Sequence, residues 1–141
     1  MAMKRKHRPF NNIERGDIYL ADLGTEDKIV GSEQCGVRPV IVTQCDYNNR
    51  KSPTLIVAAV TSEIKKEKMD YHVILPSLKG LPRRSMVCAE QRRTIDRSRL
   101  IKYYCTVDDE TMEKVYRACK KAEGAERKRR KWKKTICPRN W

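Results

Sequence analysis

Residues 31–61 read GSEQCGVRPVIVTQCDYNNRKSPTLIVAAVT, and the reading of this stretch decides the fold. Two β-rich runs, Val37 to Gln44 and Thr54 to Val60, are each bounded by polar turn residues, the pattern of two strands separated by the turn-rich DYNNRKSP. Each run touches a polar side chain capable of chemistry, Arg38 in the first and Thr61 after the second. Arg38 directly precedes Pro39, whose missing N–H suits it poorly to the middle of a sheet, so an edge or strand-start position is expected there. Such a position is a natural rim of a cleft.

Working outward, Asp17 to Leu23 reads as the first strand, and Gly24 to Gln34 is a polar loop longer than a simple turn needs. Beyond Thr61 the charged SEIKKEKMD is read as a connection with at most one helical turn. His72 to Leu75 is a short strand, and Pro76, Gly80 and Pro82 make residues 76–84 a loop. Ser85 to Ala89 and Gln91 to Ile95 follow as separate strands, then a helical turn over Asp96 to Leu100 and a last strand from Lys102 to Val107. Many short strands with turn signals between them argue for a small barrel.

Asp108 to Lys121 breaks that pattern. Met112, Val115, Tyr116 and Cys119 recur at helical spacing, with Asp108 as N-cap, Asp109 and Glu110 at the positive end and Lys120 and Lys121 at the negative end. Gly124 can stop this helix, which is expected to pack on the barrel. The organisation expected is a basic N-terminal arm over 1–12, a barrel domain over 13–124 and a basic C-terminal tail over 125–141.

The chain has 141 residues, enough for one domain, and with only 6% aromatic residues its core should be aliphatic. The net charge of +14 sits mostly in the ends: residues 1–9 carry +4 and residues 125–141 carry +7, leaving +3 for the body. A polyanionic partner is favoured. Six cysteines without a C-x-x-C pair, and without an apolar leader over residues 1–12, read as free thiols in a reducing cytoplasm. No 18-residue apolar run offers a membrane span.

Several chemistries are disfavoured. The two histidines are His7, in the arm, and His72, which makes a two-histidine proton shuttle unexpected, and the acidic residues are too scattered to suggest a metal cluster. Phosphate-binding glycine loops and G-x-S-x-G are absent from the sequence. What remains is cleavage by positioned donors. In RNA transesterification the substrate's own 2′-OH attacks, and an Arg guanidinium is suited to the charge that builds on the phosphorus. Arg38 fits that task, and Thr61 could add a hydroxyl.

The runs GSEQ, GVRPVIVTQ and SPTLIVAAVTS, followed by EQRRTIDRSRL, resemble the MazF/PemK toxins over roughly Gly16 to Gly124. That resemblance implies an SH3-like small β-barrel of the PemK/CcdB type, mainly β with a C-terminal helix, and a homodimer. It implies a metal-independent, cofactor-free endoribonuclease that cleaves single-stranded RNA to 2′,3′-cyclic phosphate and 5′-hydroxyl ends. Arg38 and Thr61 fall on the family's catalytic positions. RNA contacts are implied for Ser32, Glu33 and Gln34 on the long loop and for Ser85, Glu90, Gln91 and Arg93 downstream. In a regular strand Gln91 and Arg93 share one face, with Glu90 and Arg92 on the other. An acidic antitoxin is the implied protein partner, with operator DNA reached through the toxin–antitoxin complex. Three features depart from many relatives: Cys45 in place of Asn, Arg92 in place of an aliphatic residue, and a longer first loop. All three are expected in or near the RNA groove. Two other readings stay open, a non-catalytic barrel toxin acting on a protein such as a topoisomerase, and a basic nucleic-acid-binding adaptor.

Overall fold

The computed structural model describes residues 10–24, 35–66 and 68–124. Residues 1–9 of the arm expected over 1–12, the loop residues Ser32, Glu33 and Gln34, and the tail over 125–141 lie outside the described residues. Among the described residues the elements are β1 (Asp17–Asp22), β2 (Val37–Val42), α1 (Asp46–Lys51), β3 (Thr54–Thr61), β4 (His72–Ile74), β5 (Met86–Asp96), β6 (Leu100–Thr106) and α2 (Asp109–Ala122), with a 3-10 turn at Arg97–Arg99. All strands join one antiparallel sheet in the order β4-β5-β3-β2-β1-β6. The chain is mainly β with a C-terminal helix, as expected. No helix among the described residues is long and apolar enough to cross a membrane.

Alternation along the strands sends apolar side chains to both faces. Ile18, Ile41, Ala58, Val60 and Val87 join Met112, Val115 and Cys119 of α2 in one cluster. Tyr19, Val40, Val42, Leu55, Val57 and Leu100 build the second, with Ile13 and Phe10 over it. The core is aliphatic, as the composition requires. The strand ladder does not close into a ring, since β4 and β6 are both edges. The loop after β4 spans that opening: Leu78 and Leu81 pack on the first cluster, and Gly80 lies directly against the Tyr104 carbonyl of β6.

The helix α2 is capped as its sequence says, Asp108 Oδ1 accepting from the Thr111 N–H at 2.8 Å. Its buried stripe is Thr111, Met112, Val115, Ala118 and Cys119. Tyr116 departs from the expected stripe and is 46% exposed. Its ring is instead covered by cations, Lys120 at 4.9 Å and Arg15 at 5.6 Å from the ring centre. A phenol at the border of the stripe gains more from cation–π contact than from a site where its hydroxyl would lack a partner.

Four further expectations are corrected. The DYNNRK stretch, expected as a turn, is the short helix α1, held by polar contacts in place of an apolar stripe: Asn49 is buried and donates to the Gln44 carbonyl at 2.9 Å, and Arg97 donates to the Asn49 and Ser52 carbonyls. Conversely, no helical turn forms among the described residues of 62–70, where Lys66 takes a positive φ of 52°. The two strands expected over 85–95 are one, β5, interrupted where Ala58 faces Arg92 while Ala59 faces Cys88. Ala89, Glu90 and Gln91 thus form a three-residue bulge with no partners on β3. Finally, of the two positions expected for Arg38, the structure gives the strand start and not the edge, because β2 begins at Val37 and β1 and β3 flank it.

Cys45 is exposed at the N-cap of α1, its side chain making no capping bond. Asn there supplies the missing acceptor, so Cys45→Asn should raise stability by about 1 kcal/mol. A melting temperature unchanged or lowered in that variant would count against the capping role.

Candidate functional site

The β2–β3 ladder runs from Val42↔Val57 to Val40↔Ala59 and stops. One more step along the same face sets Arg38 opposite Thr61. Pro39, which has no N–H to donate, begins the unpaired end, and the strands part there. Pro39 thus explains locally why a cleft opens at the start of a strand that is otherwise interior.

Two clefts adjoin at this point, and both are lined by Arg38 and Thr61. The first, of about 380 Å³, continues along Leu81, Pro82, Arg83, Ser85 and Tyr104. The second, of about 270 Å³, continues along Lys65, Lys66, His72, Cys88, Glu90 and Gln91. Arg38 donates its Nε to the Cys35 carbonyl at 2.7 Å, which fixes the plane of the guanidinium and leaves the two terminal nitrogens for the clefts. Thr61 Oγ1 accepts from the Glu63 N–H at 3.1 Å, so the hydroxyl proton remains available to donate. A forked cation and a hydroxyl donor at the meeting of two clefts can grip one tetrahedral anion from two sides.

The bulge decides where the downstream residues go. A regular strand would place Glu90 and Gln91 on opposite faces, yet both line the second cleft. Arg92 lines neither cleft and pairs with Glu123 at the C-terminal end of α2. Arg93 is exposed and lines neither cleft; its Nη1 donates to the Leu23 carbonyl at 3.3 Å, bracing the chain just before the long loop. Ser85 is buried and spends its proton on the Arg83 carbonyl at 2.9 Å, shaping the wall of the first cleft. Ser32, Glu33 and Gln34 are outside the described residues, immediately before the Cys35 that holds Arg38.

His72 is the site residue that single-sequence reasoning passed over. Its Nδ1 lies 2.9 Å from the Lys66 carbonyl, an oxygen that only accepts, so the ring proton sits on Nδ1. Nε2 meets Glu90 Oε1 at 2.7 Å. Strand pairing puts His72 directly across from Cys88, and burial, followed by the charge of Glu90, pushes the Cys88 thiol up to about 11. The signal for this grouping was the register of β4 on β5, which a three-residue strand does not reveal in sequence.

Residues 14–122 match the model of the PemK-like, MazF-like toxin of type II toxin–antitoxin systems. The chain is 50% identical over 104 residues to Endoribonuclease EndoA of Bacillus subtilis (strain 168), covering 73% of this chain and 87% of that protein. Its fold is similar to a mycobacterial endoribonuclease in complex with its cognate antitoxin, at TM-score 0.66 and 22% identity over 80% of this chain and 96% of that one. It is similar also to MazF of Deinococcus radiodurans, at TM-score 0.65 and 24% identity over 79% and 96% of the two chains. The chain belongs to the PemK-like, MazF-like toxins of type II toxin–antitoxin systems.

Proposed function

We propose that this chain is an endoribonuclease that cleaves single-stranded RNA without a metal ion, by attack of the substrate's 2′-OH on the adjacent phosphorus. The observation that carries the reading is the convergence of Arg38 and Thr61 on the boundary of two clefts. A phosphate seated at that boundary has one cleft for the nucleotide on each side. As the 2′-oxygen attacks, the phosphorane gains negative charge, and the terminal nitrogens of Arg38 donate to its equatorial oxygens. Thr61 donates to the same group or to the leaving 5′-oxygen. Ring closure yields a 2′,3′-cyclic phosphate, and the departing oxygen takes a proton to become a 5′-hydroxyl. Glu90 and Gln91, which line the second cleft together, would read base edges there, and Lys65 and Lys66, which line it too, would meet phosphates. Ser85 and Arg93 act from behind, through the cleft wall and the loop start, and Ser32, Glu33 and Gln34 act from the loop.

A relative is known in complex with its cognate antitoxin, and for this chain the proposed protein partner is an acidic antitoxin that competes with RNA for the basic clefts, the proposed assembly a homodimer whose antitoxin complex reaches operator DNA. The basic tail over 125–141 supplies loose, sequence-independent attraction for RNA. Incubating the purified protein with a long single-stranded RNA in EDTA and mapping the fragment ends tests the reaction. Cleavage should persist and leave cyclic phosphates; strict dependence on magnesium, or 5′-phosphate products, overturns the mechanism.

A further inference from the structure

We propose that His72, Cys88 and Glu90 form a zinc site whose occupation withdraws Glu90 from RNA and so inhibits the enzyme. The sequence offers no metal-ligand spacing; the fold creates it. His72 and Cys88 are cross-strand partners, which places their side chains on one face, and the bulge brings Glu90 over them. The Nε2, Sγ and carboxylate oxygen all lie within 4.8 Å of one another. Ligands around a tetrahedral zinc, with bonds of about 2.0 to 2.3 Å, stand roughly 3.3 to 3.7 Å apart. With one pair at 2.7 Å and no pair beyond 4.8 Å, shifts of about 1 Å or less bring the three atoms to that geometry, the Nε2 to Glu90 contact widening. Glu90 can supply that movement, since its side chain is a third exposed and sits on the bulge, while His72 is 8% exposed and fixed.

The second observation is the tautomer. The Lys66 carbonyl holds the proton on Nδ1, so Nε2 presents its lone pair towards Cys88 and Glu90. That is how metal-bound histidines are oriented, by a carbonyl on the far nitrogen. Nε2 and the Glu90 carboxylate oxygen lie 2.7 Å apart, an ordinary hydrogen bond through one proton. Zinc takes the place of that proton and the Cys88 thiolate becomes the third ligand, the displaced protons leaving to solvent. A thiolate and a carboxylate together neutralise the dication, which matters because Arg38, Lys65 and Lys66 line the same cleft. The fourth position is left to water. This mixture of sulfur, imidazole and carboxylate suits zinc better than magnesium or calcium.

The binding claim stands on geometry alone, whereas inhibition rests on the RNA-cleaving reading. The test loads the full chain, freed of metal with a chelator, with cobalt(II) as a spectroscopic stand-in and then with zinc in competition with a chromophoric chelator. One equivalent of cobalt should give the sulfur-to-metal charge-transfer band of a tetrahedral site. Cys88→Ala, or Cys88→Val where the space must be filled, should lose that band and weaken zinc by about 100-fold or more, beyond what loss of a mere supporting contact costs. Zinc should inhibit the wild type relative to its own rate in EDTA, and should leave each variant at its own EDTA rate. A band that survives in both variants, or is absent from the wild type, overturns the site. Zinc bound through Cys88 with cleavage untouched keeps the site and overturns the placement of Glu90 on RNA.

Discussion

Arg38→Ala is expected to lower RNA cleavage by about 100- to 1000-fold while leaving the fold intact, the loss that follows removal of one preorganised donor to a developing oxyanion. Among the described residues the guanidinium bonds through Nε to the Cys35 carbonyl, in a half-buried position where water can take its place. Its loss should therefore appear in the rate and not in the melting curve. Arg38→Lys separates charge from geometry: an ammonium keeps the charge but cannot offer two parallel bonds, so an intermediate rate is expected. Single-turnover cleavage of a short RNA at saturating enzyme measures the chemical step directly. A folded Arg38→Ala protein that cleaves at near wild-type rate removes this residue from the mechanism.

The second large effect is structural and lies opposite the strands that carry Arg38 and Thr61. Gly80 has φ +97°, and a Cβ placed there would come within 2.4 Å of the Tyr104 carbonyl oxygen, a backbone atom that cannot swing aside. Gly80→Ala should cost about 1–3 kcal/mol for the backbone conformation alone. The overlap adds to this, so the loop must lift from β6. At about 4 °C per kcal/mol for a domain of this size, the melting temperature should fall by roughly 10 °C. The same loop carries Leu81, Pro82 and Arg83 along the first cleft, so cleavage should weaken at temperatures where the protein is still folded. A variant that melts within a degree or two of the wild type would show that the loop rests on β6 without being needed there.

Much of this architecture is legible in sequence because it is written in local periods. The strands alternate, and α2 carries its caps, end charges and stripe within a few residues of one another. What escaped was set by partners distant in sequence. The helix α1 has no apolar stripe to betray it, because its support is the buried Asn49 and the guanidinium of Arg97 from beyond β5. The bulge at Glu90 showed only as a break between two runs, since pairing with β3 resumes at a shifted register that one strand cannot announce. Arg38 and Thr61 stood out through family resemblance; their meeting follows from the β2–β3 register, and spacing alone does not give it. His72 was set aside because a lone histidine carries no chemistry until its neighbours are known.

The bulge in β5 also separates two demands that a regular strand would bind together. Residues 86–88 and 92–96 hold the ladder to β3, and Ala89 is buried beneath, so Glu90 and Gln91 bear no share of the pairing. Exchanging those two side chains leaves the strand's registry and the packing below it untouched. On the RNA-cleaving reading proposed above, a toxin built this way can drift in what it reads without drifting in how it folds, and residues 90 and 91 are where a designer would begin to rewrite its preference.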